Sequence, residues 1–148
     1  MSFQAGVLQQ ITGIRHDFSN VGAALPANLF FCSQVHSGEV VEASTTLPSG
    51  IIRGDAVLTR SARPIAVVTA DCLPMLISSH DGAWVAAVHG GWKGLHGGII
   101  AHVLEQSGRN RARMQERDMV KRRAALVELQ RKADDPVLHT CIATYASD

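Results

Sequence analysis

Short apolar runs, each bounded by turn-forming residues, follow one another along most of the chain. Runs of this length between Gly, Pro, Ser and Asp residues are typical of β-strands. Runs that are apolar throughout, rather than alternating, indicate buried strands. The pattern predicts strands at residues 29–35, 40–43, 56–59, 65–69, 73–77, 84–88 and 137–145, and a less apolar opening strand within 4–14.

Two later segments have the pattern of helices. Residues 99–105 follow paired glycines and begin one helix. Residues 109–132 contain no Gly or Pro and are rich in strong helix formers, so they predict a second, long helix that ends before Pro136. We therefore divide the chain into a folded domain, residues 1–108, and a basic helical tail, residues 109–148.

The charge of the chain is distributed unevenly. Residues 1–108 hold five Lys/Arg against seven Asp/Glu, whereas residues 109–148 hold nine against six. Because acidic residues are interleaved along the tail, a solvated helix is favoured over a nucleic-acid-binding one. The net charge of +1 gives no general reason to expect nucleic acid or a membrane surface as a partner.

Composition indicates a single globular domain in a reducing compartment. The 148 residues are 46% hydrophobic and 18% charged, which suits a packed core. The amino terminus has neither a basic start nor a long apolar stretch, and no run approaches the length of a membrane span. Three cysteines without framework spacing fit reduced thiols better than disulfides, so we expect a cytoplasmic protein.

Three side chains at the ends of apolar runs form a candidate set of metal ligands. His36 and His89 each end a run, and Cys72 interrupts another. A thiolate and two imidazoles suit a soft or borderline metal such as zinc, and three protein ligands leave a fourth position free, as catalytic zinc sites require. Taken singly, each residue also has an ordinary structural interpretation. The cysteine could be a small buried thiol, and each histidine could be a side chain whose polar end is hydrogen-bonded.

A predicted antiparallel hairpin brings two of these residues together. If its turn is centred between His80 and Asp81, Cys72 and His89 lie directly opposite each other. If the centre lies between Asp81 and Gly82, they are near-diagonal neighbours and still within reach of one ion.

Nothing in the local sequence says that His36 joins the other two ligands. The carboxylate of Asp71 lies inside an apolar stretch next to Cys72. Such a group is costly to bury unless it is hydrogen-bonded or functional, and Asp71 therefore favours a functional site.

The order of the motifs is more specific than any one residue. The chain contains QVHSGEVV, GDAVLT, TADCLPMLIS and AAVHGGWKGLHGGI, in this order. Together they resemble the YfiH-like family, also named the laccase-domain or multicopper polyphenol oxidase family, over residues 14–100. The resemblance implies an α+β fold, a layered αββα sandwich with mixed β-sheets, which we expect to be shortened at its carboxyl end. It also implies phosphorolysis of purine nucleosides, including methylthioadenosine, and deamination of adenosine.

The resemblance further implies that His36, Cys72 and His89 hold a catalytic zinc ion. Zinc lowers the pKa of bound water toward neutrality, which suits attack on C6 of adenine. The matching motifs contain no glutamate to shuttle protons. Asp71 is therefore our candidate for proton transfer or for support of a ligand.

Phosphorolysis requires cationic or N–H donors for phosphate. Arg15 and His16 lie in a GIRH segment that resembles an amino-terminal motif of the family, and Lys93 lies in GWKG. Trp92 is a candidate to stack on a purine, although packing alone would also explain it. The expected partners are thus small molecules, namely purine nucleosides and phosphate.

The chain departs from the family pattern after Gly98. The later glycine–proline–cysteine motif and the closing aromatic and arginine residues are not found there. Two alternatives therefore stay open: a copper-dependent polyphenol oxidase and a catalytically degenerate member. The sequence has no His-x-His pair of the kind a multicopper cluster needs. A shortened sheet would also leave an edge or face that a second copy of the chain could cover.

Overall fold

The computed structural model describes residues 2–20, 22–44, 46–108 and 139–145. Eight strands and three helices follow in chain order: β1 (Ser2–Phe3), α1 (Gly6–Gln9), β2 (Ile14–Asn20), β3 (Val40–Glu42), β4 (Ala56–Thr59), β5 (Ile65–Thr69), β6 (Leu73–Ser78), β7 (Val85–Gly90), α2 (Trp92–His96), α3 (Ile99–Ser107) and β8 (His139–Tyr145).

The strands form two four-stranded sheets. The first sheet has the order β1-β2-β8-β5, and all its strand pairs are antiparallel. The second has the order β3-β4-β7-β6 and is mixed, because β3 runs parallel to β4 while β7 is antiparallel to both of its neighbours. The α+β class with a mixed sheet is thus confirmed.

The core has two parts because side chains alternate along each strand of the mixed sheet. One part lies between the sheets and includes Phe18 and Val67 of the first sheet and Val57 and Ala87 of the second. The other part lies on the opposite face of the mixed sheet, where α3 packs. Its members are Ala56, Leu58, Met75, Ile77, Trp84, Ala86, Val88, Ile99 and Val103. Burial on both faces explains the unbroken apolar runs of β4 and β7.

Three of the four layers expected for the αββα sandwich are therefore present in the described ranges: a helix layer and two sheets. The predicted helix at 109–132 lies outside the described residues. None of the helices in the described part of the chain has the length and apolar character that crossing a bilayer requires.

Most predicted strands are confirmed, and two are wrong. Residues 4–14 form the short helix α1 and a turn, and the strand begins only at Ile14. Residues 29–35 make isolated bridges, one pairing Phe30 with Ile65 and another pairing Ser33 with Arg53. That segment follows the edge of β5 without forming a continuous ladder.

The hairpin between β6 and β7 has the second of the two predicted registers. Pro74, rather than Cys72, lies opposite His89. The centre of the turn therefore falls between Asp81 and Gly82, where Gly82 adopts a positive φ of 69°. Glycine reaches that conformation without the steric cost that a Cβ would bring, so Gly82 suits a turn with this centre.

Leu58 tests the core between the mixed sheet and α3, because its side chain has no exposed surface. We expect Leu58→Ala to lower the free energy of unfolding by about 2–5 kcal/mol through lost burial and a residual cavity. Leu25→Ala is the control, since Leu25 is 54% exposed, and should change it by about 0.5 kcal/mol or less. Urea denaturation measures both, and equal effects would contradict the core described above.

Candidate metal centre

Three separate segments bring the predicted ligands together at one end of the mixed sheet. His36 lies in the loop before β3, Cys72 in the connection between β5 and β6, and His89 near the end of β7. Their ligand atoms all lie within 4.8 Å of one another. The two imidazole rings meet edge to face, with centroids 4.8 Å apart and planes 76° apart. Ligand atoms on a tetrahedral zinc ion lie about 3.5 Å apart, so the three side chains are near enough to one another to share one ion.

Exposure rises across the three ligands. His89 is 3% exposed, Cys72 is intermediate, and His36 is exposed. The cluster is thus anchored in the protein on the His89 side and open to solvent on the His36 side. An ion held here would be accessible to water or to a substrate, as in a catalytic rather than a closed structural zinc site.

Asp55 joins two of the ligands from a position with no exposed surface. Its Oδ1 lies 2.8 Å from Nδ1 of His89. The same carboxylate accepts hydrogen bonds from the backbone N–H groups of Val35, His36 and Ser37 and from the Ser37 hydroxyl. Burial alone would raise the pKa of Asp55, but these hydrogen bonds, that of His89 first among them, hold the pKa below its usual value.

The loop that carries His36 is also attached to the strand that leads to Cys72. The side-chain amide of Gln34 donates to the carbonyl of Val68 at 2.7 Å and accepts from the Val68 N–H at 2.8 Å. This is the pairing that a neighbouring strand would make with the edge of β5. Gln34 therefore links the loop of His36 to the strand that precedes Cys72. Asp55 links the same loop to β7, the strand that carries His89.

Gly91 allows the backbone after β7 to pass close to the ligands. A Cβ at this position would lie 2.8 Å from Cδ2 of His36 and 3.5 Å from Sγ of Cys72. A Cβ at Gly94, in α2, would lie 2.6 Å from the carbonyl oxygen of Ser37. The glycines of the GGWKG segment thus let α2 pack directly against the His36 loop.

Trp92 and Lys93 begin α2 directly after this close approach. Trp92 is 72% exposed, and the ammonium of Lys93 lies 5.7 Å from the centroid of its ring. An exposed indole and a cation therefore follow directly after the glycine whose backbone passes close to His36 and Cys72.

The other predicted site residues have different surroundings. Asp71 is exposed, so the expected cost of burying its carboxylate does not arise, and that argument for a functional Asp71 is wrong. His16 is buried, and its Nε2 accepts a hydrogen bond from the N–H of Ala5 at 2.8 Å. Strand pairing through β8 places His16 level with Ile65, at the start of β5, whereas Cys72 follows the end of β5. The structure therefore does not bring Arg15 and His16 to the ligand cluster.

Sequence reasoning missed Asp55 and Gln34. Asp55 had a detectable signal: a carboxylate directly before the three apolar residues that begin β4, where burial is expensive without donors. Its partner could not be identified, because the pairing of β4 with β7 joins segments far apart in the sequence. Gln34 had no comparable signal.

The chain belongs to the family described as multi-copper polyphenol oxidoreductase laccase, whose model matches residues 8–127. A purine nucleoside phosphorylase of Pseudomonas aeruginosa is 42% identical over 78 residues, which are 51% of this chain and 30% of that protein. The purine nucleoside phosphorylase YfiH of Escherichia coli is 39% identical over 81 residues, 54% of this chain and 33% of that protein. The resemblance to the YfiH-like family is confirmed. The matched part spans about a third of the length of these curated relatives.

Solved structures agree on the fold. The crystal structure of YlmD from Geobacillus stearothermophilus superposes with a TM-score of 0.67, covering 97% of this chain and 94% of that chain at 12% sequence identity. That of Bacillus licheniformis hypothetical protein YfiH gives a TM-score of 0.55 over 80% of this chain and 74% of that chain, at 13% identity. At these identities the likeness concerns the fold alone.

Gly91→Ala tests the close approach to the ligands. The added methyl would displace the exposed imidazole of His36, so we expect zinc affinity to fall about tenfold or more while stability changes little. Gly6→Ala is a matched control, because a Cβ there meets no atom within 4 Å. Competition with a chromogenic chelator measures both affinities, and an unchanged affinity in Gly91→Ala would contradict the assigned geometry.

Thiol alkylation distinguishes the two described cysteines. Burial, followed by the nearby charge of Asp55, raises the pKa of Cys32 to about 11. Cys32 therefore stays a protonated, unreactive thiol until the pH approaches that value. Near pH 8 we expect iodoacetamide to label the partly exposed Cys72 first. Zinc should slow the labelling of Cys72 and leave that of Cys32 unchanged, as peptide mass spectrometry would show. If zinc does not change the rate at which Cys72 is labelled, Cys72 is not a ligand of the ion.

Proposed function

We propose that this chain is a purine nucleoside phosphorylase that uses a zinc ion held by His36, Cys72 and His89. The observation that carries the proposal is the convergence of one thiolate and two imidazoles from three segments, with one side of the cluster open to solvent. Relatives named purine nucleoside phosphorylase support the substrate class.

The donor set favours zinc. A thiolate with two imidazoles matches a three-ligand catalytic zinc site, and the second nitrogen of His89 faces a carboxylate, as is usual for imidazoles bound to zinc. When bound, zinc supplies Lewis-acid polarisation and a water of lowered pKa. The thiolate ligand and the free thiol of Cys32 suit a reducing compartment, so we propose a cytoplasmic location.

Trp92 and Lys93 are our candidates for binding the substrate. The exposed indole face of Trp92 would stack on a purine, and the ammonium of Lys93 would offset the charge of phosphate. Arg15 and His16 lie level with the opposite end of β5, so the proposal assigns phosphate recognition at this cluster to Lys93 instead.

Deamination of adenosine is the second candidate activity. The specific observation in its favour is the exposed carboxylate of Asp71 next to Cys72, from which a proton could exchange with solvent. Deamination needs no phosphate, so an assay without phosphate distinguishes deamination from phosphorolysis. Copper-dependent oxidation of phenols, the activity in the family's description, differs from both in its metal and its need for oxygen.

Product analysis tests the proposal. Adenosine, inosine and methylthioadenosine are incubated with the protein, with and without phosphate, and products are identified by mass spectrometry. We expect free base only when phosphate is present, and about one zinc per chain by elemental analysis. Cys72→Ser should lower kcat/KM by about a hundredfold or more, while Cys32→Ala, a cysteine outside the cluster, should keep it.

Each other outcome replaces the proposal. Inosine formed from adenosine without phosphate would identify a deaminase. Bound copper with oxygen uptake on a phenol would identify a polyphenol oxidase. A metal-loaded protein that forms no product would overturn an enzymatic role and favour a catalytically degenerate member.

A further inference from the structure

We propose that Asp55 is the positioning residue of the metal centre: its carboxylate orients the imidazole of His89 and shapes the loop of His36 before any ion binds. The inference rests on the proposed function in one respect, that the cluster binds a metal. It adds a residue that touches neither metal nor substrate and acts through two ligands.

Strand register explains how Asp55 reaches His89. Ala56 of β4 pairs with Val88 of β7 in an antiparallel ladder, so the preceding residue, Asp55, lies opposite the following one, His89. The N–H of His89 also donates to the carbonyl oxygen of Asp55 at 2.7 Å. Alternation along the strands directs both side chains to the face between the two sheets, where Val57 and Ala87 lie.

The contact between the side chains determines which nitrogen of His89 is free. An ionised carboxylate can only accept hydrogen bonds, so the 2.8 Å contact with Oδ1 of Asp55 requires the proton on Nδ1. In a neutral imidazole with that tautomer, Nε2 presents a lone pair, which is what a metal ion needs. Because His89 is almost fully buried, water cannot provide the hydrogen-bond partners that the opposite tautomer of its ring would require.

The same carboxylate shapes the loop of His36. The backbone N–H groups of His36 and Ser37 donate to it at 2.8 Å and 2.7 Å, and that of Val35 lies 3.2 Å from both oxygens. His36 has a φ of 60°, a left-handed conformation that a non-glycine residue adopts only when its surroundings impose it. Three consecutive N–H groups that converge on one anion provide such surroundings.

The charge of Asp55 also suits the centre. A divalent ion with one thiolate and two neutral imidazoles carries a net charge of +1, and the carboxylate behind His89 makes the assembly neutral. An asparagine would have nearly the same shape but would turn an NH₂ group toward at least one of these donors. The site therefore needs the negative charge and the two acceptor oxygens of the carboxylate, and a side chain of the same volume would not replace them.

Asp55→Asn is the direct test, and its readout is metal affinity rather than activity. We expect affinity for zinc, measured by chelator competition, to fall about 10- to 100-fold. The visible spectrum of the cobalt-substituted protein should also change, since that spectrum reports ligand geometry. Asp81→Asn is the control, because Asp81 accepts a backbone N–H from Ala83 in the turn at the other end of the β6–β7 hairpin. It should bind zinc as the unmodified protein does.

A measurement on the unmodified protein covers the case in which Asp55→Asn fails to fold. Long-range proton–nitrogen NMR of the metal-free chain should show His89 with its proton on Nδ1. Addition of zinc should then shift the Nε2 resonance while Nδ1 stays protonated. A proton on Nε2, or a mixture of tautomers, in the metal-free protein would overturn the inference.

The outcomes separate this inference from the proposed function. If the unmodified protein binds no zinc, the proposed metal centre fails whatever Asp55 does. If it binds zinc and Asp55→Asn folds and binds equally well, with an unchanged cobalt spectrum, the positioning role of Asp55 is wrong and the metal centre stands.

Discussion

A buried carboxylate holds the candidate site together. Asp55 has no exposed surface, and an ionised group removed from water is stable only when hydrogen-bond donors replace the solvent. Its donors come from β7, through His89, and from the loop of residues 35–37. Losing either set would leave a buried charge partly unpaired. The strand, the loop and the two imidazoles they carry therefore depend on one another.

The mixed sheet supplies the rigid base on which this contact is made. Its strands β4 and β7 are buried on both faces, by the first sheet on one side and by α3 on the other. Close packing on both faces keeps the pairing of Asp55 with His89 in register. The backbone leaves the sheet at Gly91, where a side chain would collide with His36, and α2 then packs against the loop. One imidazole is consequently buried in the sheet and the other faces solvent.

This asymmetry suits the chemistry proposed for the site. A buried ligand with a fixed tautomer anchors an ion, while an open side admits a substrate. The description of the family refers to copper and phenol oxidation, and the related bacterial proteins are named for phosphorolysis of purine nucleosides. Both activities would use a metal with an accessible position.

The sequence by itself determined most of the buried strands, the three candidate ligands and the family, because those features depend on local composition and on ordered motifs. The runs at 56–59, 65–69 and 73–77 appear as strands within a residue of their predicted bounds. It also led us to expect a buried carboxylate at Asp71, which is exposed, and it placed Arg15 and His16 near the ligands, whereas strand pairing sets His16 level with the opposite end of β5. What only the tertiary structure decided was the partnership of residues far apart in the chain: Asp55 with His89, Gln34 with Val68, and His36 with Cys72. Strand register and loop docking set these pairs, and both follow from packing the whole core rather than from any local pattern.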